Sequence, residues 1–463
     1  MAARPQPSVY RADPAILQLA DFIGDPVSAA SFPAHFLRFR NDRWAPAVGL
    51  DSLTDQAWID HFGRFAPLPD NLPQPLALRY HGHQFRTYNP DIGDGRGFLF
   101  AQLRDNAGRL LDLGTKGSGQ TPYSRFGDGR LTLKGGIREV LATEMLEALG
   151  VETSKSFSLI ETGEALQRND EPSPTRSSVL VRLSHGHIRI GTFQRLAALG
   201  DAEAMTRLVD YVLRHFHDDA PGQDGPARLI AHMVRKTARL AASYMAAGFV
   251  HGVLNTDNIA ISAESFDYGP WRFTPRWEPG FTAAYFDQTG LYAFARQAQA
   301  IHWNVVQLAV ALRLLTEPEP LIAPIETFPA IYEQALRDVL VGRLGVSTRG
   351  AKADDALCEA MIEALHQSLV SIDRFFFDWR AGRVPSGDAY ADPVFDRFRN
   401  ELASFKPAVS LDHPYWNDPE PCSMHIDEVE TIWGHIDQKD DWTAFGAKIS
   451  AIRRMGRAMR DES

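Results

Sequence analysis

Residues 251–270 read HGVLNTDNIAISAESFDYGP, a polar turn, a short β-type run and an Asp-Tyr-Gly. Asn255, Thr256, Asp257 and Asn258 are turn-forming residues, and taken alone they read as a turn. Their surroundings change that reading. Asn258 and Asp267 are short oxygen donors on either side of NIAIS, and a hairpin-like geometry there brings them together. Such a pair suits Mg²⁺, which takes a few hard oxygens and completes its shell with nucleotide phosphates. Asp257 adjoins Asn258 and lies within reach of the same site.

Working outward, PARLIAHMVRKTARLAASYMAAG (226–248) places Leu229, Ile230, Met233 and Leu240 at helical spacing and stops at Gly248. After the loop, YAFARQAQAIHWNVVQLAVALRLL predicts a second long apolar helix. Upstream the character is different. RGFLFAQL, RLLDLGTKG, SFSLIET and SSVLVRLS are β-type runs separated by Gly, Asp and Asn turns. One helix interrupts them, starting near Ile137, with Leu141, Met145, Ala148 and Leu149 on its apolar face and Gly150 as its stop. This order predicts an α+β protein of two lobes. We divide it into an irregular or partly helical opening segment (1–75), a β-rich lobe (76–185), a helical lobe (186–400) and a helical extension (401–463).

Three further constellations carry charge suited to phosphates. Lys116 closes a β-type run before a Gly-Ser-Gly turn, and a cation there can pair with phosphate oxygens and with a helix carboxylate. Glu139 is the candidate partner, although helical geometry turns it away from the apolar face, where most glutamates are solvated. NPDIGDGRGFLF (89–100) brackets Arg96 with Gly93, Gly95 and Gly97, and glycines let a backbone approach phosphates closely. A second Gly-Asp-Gly recurs at Gly127, Asp128 and Gly129. In RLSHGHIRIG (182–191), Arg182 and Arg189 flank a turn and read as an anion clamp. The two histidines between them lack partners at zinc spacing.

Composition narrows the function. The chain has 463 residues, 44% hydrophobic and 23% charged, enough for two or three domains with large cores. A net charge of −10 with scattered Lys and Arg argues against nucleic-acid binding. Two distant cysteines, Cys358 and Cys422, form neither a disulfide framework nor a metal motif, so a reducing compartment is expected. No secretory signal and no membrane span is expected, and the location read from this is cytoplasmic. Neither G-x-S-x-G nor the Walker A pattern is present.

The loop at 251–258 also bears on chemistry. Protein kinases carry His-x-Asp with an Asn five residues beyond that Asp. Here His251 and Asn258 keep the separation, but Val253 replaces the Asp. The set YHGHQF (80–85), NPDIGDGRG (89–97), KGSGQTPYSRFGDGR (116–130), IRE (137–139), VRLSHGHIRIGTF (181–193), HGVLNTDN (251–258) and FDYGP (266–270) resembles the selenoprotein O family. The resemblance spans about 80–310, half of the chain. It implies a bilobal protein-kinase-like fold, a β-rich lobe with one key helix over a mainly helical lobe, plus family-specific extensions. The implied activity is transfer of AMP from ATP to Ser, Thr or Tyr hydroxyls of proteins, self-modification included, with release of pyrophosphate. UMP transfer from UTP with Mn²⁺ is a second implied activity.

By the same resemblance, Gly93, Gly95, Arg96, Asp128 and Gly129 contact nucleotide. Lys116 contacts phosphate and pairs with Glu139, and Arg182 and Arg189 hold phosphates. Asn258 and Asp267 bind Mg²⁺, Asp267 also meets the nucleotide, and Asp257 accepts the proton. The chain departs from the family pattern at His81 and Arg86, where small residues are usual, and at Gly135 and Gly136, where serine is common. No cysteine stands near the carboxy end, so redox regulation through such a residue is not expected. Two other readings of the same residues stay open. One is a kinase using Asp257 as base, and the other is a silent pseudokinase that binds nucleotide or a partner.

Overall fold

The computed structural model describes residues 9–169 and 171–460. In the amino-terminal part, the strands are β1 (Gly24–Pro26), β2 (Phe36–Arg40), β3 (Leu76–Leu78), β4 (Gly82–Gln84) and β5 (Thr87–Asn89), then β6 (Leu99–Arg104), β7 (Leu110–Lys116), β8 (Leu131–Thr132), β9 (Lys155–Leu166) and β10 (Thr175–Ser184). Two helices accompany them, α1 (Asp55–Phe62) and α2 (Leu133–Ala148). Among the described residues, β1-β3-β6-β7-β10-β9-β2 form one antiparallel sheet with β8 paired to β10, while β4 and β5 make a separate hairpin. The opening segment, read from sequence as irregular or partly helical, thus supplies two strands to the sheet.

The helical part contains α3 (Ile190–Leu199), α4 (Ala202–Phe216) and α5 (Gly225–Ala247), a small pair β11 (Phe249–Val250) and β12 (Arg272–Phe273), and α6 (Gln297–Leu312). It continues through α7 (Glu319–Glu326), α8 (Phe328–Leu344), α9 (Ala351–Gln367), α10 (Ile372–Asp378) and α11 (Asp396–Leu402) to α12 (Ile426–Lys439) and α13 (Thr443–Met459). The chain is therefore a mixed protein with a sheet-rich amino-terminal lobe and a helical carboxy-terminal lobe, a protein-kinase-like arrangement. Among the described residues, no helix is long and apolar enough to cross a membrane.

The long helix before the loop forms as its periodicity predicts. Leu229, Ile230, Met233, Val234, Leu240 and Tyr244 of α5 are all buried, and each large apolar side chain contributes about 1.5–3 kcal/mol by leaving water. Gly248 ends α5 in the left-handed region at φ 68°, where glycine carries no Cβ penalty. The turn delivers β11 and then the 251–258 loop.

Helix α2 departs from the expected amphipathic surface helix, because it is covered on two sides. Its inner side packs on the sheet, where a Cβ on Gly136 would come within 2.7 Å of Ser178 Oγ. On its outer side lies α13, with Gly456 against Ala148 and the Arg453 guanidinium donating to Glu144 at 2.8 Å. The small residue at 136 is therefore a packing requirement. Gly135, capped by Thr132 Oγ1, has only a flexible leucine tip and that hydroxyl near its Cβ direction.

Gly136→Val should lower stability by about 1–3 kcal/mol through overpacking, whereas Gly135→Ala should be neutral or slightly stabilising. Urea unfolding of both variants checks the contrast.

Candidate active site

The site is assembled where β7, α2, β10 and the loops before α3 and β12 converge. Lys116, the last residue of β7, lies 2.7 Å from Glu139 Oε2 of α2 and 2.7 Å from Asp267 Oδ1. Glu139, which helical geometry turns away from the apolar face of its helix, is nevertheless wholly buried. A buried carboxylate needs a partner, and Lys116 is that partner. Arg182, on β10, approaches both acids, at 3.4 Å from Glu139 Oε1 and 3.5 Å from Asp267 Oδ1.

Arg189 caps α3 and ties three segments together. Its guanidinium donates to Asp94 Oδ1 at 3.1 Å, to the Asp257 carbonyl at 2.8 Å and to Asp267 Oδ2 at 3.4 Å. Arg182 and Arg189 are both buried, and Arg182 Nε and Nη1 and Arg189 Nε have no hydrogen-bond partner. Buried donors left this way are what an anionic ligand satisfies. Burial pushes the Asp267 carboxyl up, but Lys116, Arg182 and Arg189 outweigh it and hold it well below the usual carboxylate range. Asp267 sits at φ 62°, a left-handed conformation that aspartate tolerates better than most residues.

The 255–258 loop differs from the sequence reading. Thr256–Asn258 form one 3-10 turn, and the expected β-type run after it reduces to a single bridge between Arg189 and Ala260. No hydrogen bond joins Asn258 to Asp267 among the described residues; the Asn258 amide nitrogen donates to the Val253 carbonyl at 2.8 Å. That commitment leaves the Asn258 side-chain oxygen, Oδ1, as the atom able to ligate a cation. Asp257 is buried, its Oδ1 has no hydrogen-bond partner, and Gln84 Nε2 stands 3.4 Å from Oδ2. Burial raises its carboxyl to about 6 against the opposing pull of Arg189.

The β4–β5 hairpin clasps this loop. His83 N donates to Thr256 Oγ1 at 2.7 Å and Phe85 N to Asn255 Oδ1 at 3.1 Å. Two of the residues that depart from the family pattern act on the hairpin, His81 through Tyr88 at 2.6 Å and Arg86 by reaching across to the Trp303 ring of α6 at 5.4 Å.

Lys116, Arg182, Arg189 and Asp267 border a cavity of about 620 Å³, which Gly93, Gly95, Arg96, Asp128 and Gly129 also line. Of the residues singled out from sequence, Glu139, Asp257 and Asn258 are the ones that do not line it. The glycines are needed for more than ligand approach. A Cβ on Gly93 would strike the Tyr123 ring, and one on Gly129 would strike Gly119. Asp128 is more exposed and forms a bidentate pair with Arg168 at 2.8 and 3.1 Å. His185 and His187 turn to Leu110 O and Ser184 Oγ instead of a shared metal. A larger open groove of about 1390 Å³ lies between α10 and residues 416–425, and it gathers no comparable set of buried cations.

Among the described residues, no cluster of three His, Cys, Asp or Glu side chains is placed to hold a metal by itself. The donors here still fit Mg²⁺ in the company of a nucleotide. Asp267 carboxylate oxygens and Asn258 Oδ1 are hard ligands, and Mg²⁺ commonly takes only one or two protein groups plus phosphates. Asp94 is a residue the sequence reading passed over. Its carboxylate is largely sheltered, accepts from Leu78 N at 3.1 Å and fixes Arg189. Its place between Gly93 and Gly95 was the available signal.

A buried lysine–glutamate pair under the sheet, an acidic left-handed residue beside it and a polar loop after a long helix define a kinase-fold protein equipped to handle a nucleotide. Residues 9–409 match the family described as protein adenylyltransferase SelO. Proteins named protein nucleotidyltransferase YdiU are similar along nearly the whole length. The relative from Synechocystis sp. is 41% identical, with 95% of this chain and 97% of the relative covered. The one from Gloeobacter violaceus is 43% identical, covering 96% and 95%. A Toxoplasma gondii rhoptry antigen kinase domain aligns at a TM-score of 0.29 and 12% identity, over 58% of this chain and 83% of that one, too remote to carry an argument. The chain belongs to the SelO family and is a protein nucleotidyltransferase.

Asp94→Asn should weaken nucleotide binding about tenfold, the scale of a charge-assisted hydrogen bond, because Arg189 loses the carboxylate that aims it. Calorimetric titration with nucleotide, beside thermal unfolding of the variant, measures this.

Proposed function

We propose that this protein transfers AMP from ATP to Ser, Thr or Tyr hydroxyls of protein acceptors and releases pyrophosphate. The observation that carries this reading is the convergence of Lys116, Arg182 and Arg189 on Asp267, beside a buried carboxylate at Asp257. Lys116, Arg182 and Arg189 hold the phosphates; Gly93, Gly95, Arg96, Asp128 and Gly129 frame the nucleotide. Glu139 keeps Lys116 in place from behind. Asp267 and Asn258 are the groups that would hold Mg²⁺, which when bound would neutralise phosphate charge. UMP transfer from UTP with Mn²⁺ is the related activity of the same site.

In the transfer step the acceptor oxygen forms a bond to the α-phosphorus, and the bond from that phosphorus to the β-bridging oxygen breaks. The electron pair leaves with pyrophosphate. The hydroxyl proton passes to the Asp257 carboxylate, which needs no help from position 253. Negative charge grows on the α-phosphoryl oxygens and the leaving group, where the three cations stabilise it. Positioning supplies much of the remaining acceleration.

ATP labelled at the α-phosphate should mark protein, and Asp267→Ala should abolish the label. Label arriving only from the γ-phosphate would instead establish a kinase. Metal-dependent ATP binding without any transfer would establish a silent pseudokinase.

Asp257→Asn should reduce kcat about 10²–10⁴-fold, the usual contribution of a general base. The base works ionised, so kcat/KM should fall as pH drops through about 6, since kcat/KM reports the free enzyme. A flat acid limb down to pH 5 would remove Asp257 from this role.

A further inference from the structure

We infer that Phe126 is the nucleobase platform of this site and favours a purine over a pyrimidine. The inference rests on the nucleotidyl-transfer reading above and names the residue that selects its substrate. Phe126 is the most exposed large apolar side chain among the described residues, with a relative exposure of 107%. It lines the same cavity as the buried Lys116, Arg182 and Arg189. The burial contrast puts the cations at the floor and the phenyl ring at the rim.

The exposure belongs to an ordered turn. Thr121 Oγ1 donates to the Asp94 carbonyl and Ser124 Oγ to the Gly95 carbonyl, so the loop is fastened to the glycine turn. Inside it, Gly127 N donates to Ser124 O at 2.7 Å and Gln120 Nε2 to Gly127 O at 2.8 Å. Arg125 is held at φ 52°, a region non-glycine residues enter rarely and where strain points to function. That conformation carries the chain directly into Phe126, whose ring has no aromatic or cationic neighbour among the described residues.

The other rings of the cavity are already engaged. Tyr80 is buried beneath Arg189, 4.5 Å from its guanidinium. Tyr123 fills the space beside Gly93 and donates its hydroxyl to Asp25. Phe126 alone keeps its faces open. A nucleotide anchored by its phosphates on the buried cations extends its base outward to the rim, and base–aromatic stacking rewards a flat partner there. The larger purine overlaps the ring more fully.

The test compares ATP, UTP and inorganic tripolyphosphate, which has no base. Phe126→Ala should raise the ATP KM, and the calorimetric Kd for ATP in Mg²⁺ buffer, about tenfold, within the range for one stacked base. UTP should lose less, the Ki of tripolyphosphate should stay within twofold, and Phe126→Trp should restore ATP binding. Unchanged ATP binding overturns the inference. So does a parallel rise in the tripolyphosphate Ki, which would make Phe126 a structural part of the loop. A loss confined to the KM of the acceptor protein would assign the ring to the acceptor instead. Because the Kd is read without turnover, failure of AMP transfer and failure of the platform give different results.

Discussion

Lys116 Nζ sits between two carboxylates, 2.7 Å from each, and one belongs to the sheet-rich lobe while the other follows the helical lobe's loop. Neither Lys116 nor Glu139 is in contact with water to any useful extent, so each is costly to bury without the other. Arg189 makes the second tie, joining the turn at Asp94 to the Asp257 carbonyl and to Asp267. Two buried cations thus set the distance between the lobes.

The same constraint shapes the loop in which Val253 stands. His251 is buried with Nε2 at 2.9 Å from the Phe266 carbonyl, so it braces the backbone leading into Asp267. Asn255 and Thr256 face the β4–β5 hairpin, and Thr256 Oγ1 continues to Gln194 Oε1 at 2.7 Å. With its neighbours fastened, Asp257 keeps a buried carboxylate beside Asn258 without the aspartate that kinases place two residues after the histidine. A loop rebuilt in this way keeps a carboxylate and a carboxamide side by side in one turn.

The carboxy-terminal helices matter to this site although none reaches it. By covering the outer side of α2, α13 turns an ordinary surface helix into a buried beam, and Glu144 is sealed under Arg453. The helix that carries Glu139 then has little freedom to tilt. Rigid support of this kind holds the Lys116–Glu139 pair within a small tolerance.

Much of this was legible in local patterns. The periodicity of 226–248, the glycine at its end and the polar loop beyond it prescribe a helix that presents donors at its exit. Lys116 at a strand end and the paired arginines around 182–189 declare an anion site through residue type and spacing. Other features depend on contacts between distant segments. Helical geometry gave Glu139 a solvent-facing position, and only the packing of β9, β10 and α13 around α2, with Lys116 at the end of β7, buries it. NIAIS has strand-like composition, yet Ile259, Ala260 and Ile261 are claimed one by one by the core and by Arg189's backbone. Asp94 reads as a turn residue until Arg189 arrives from 95 residues away. Local sequence determined which chemical groups are present and on which elements. Tertiary structure decided which of them meet, because burial and charge pairing are properties of the assembled interior and not of any single segment.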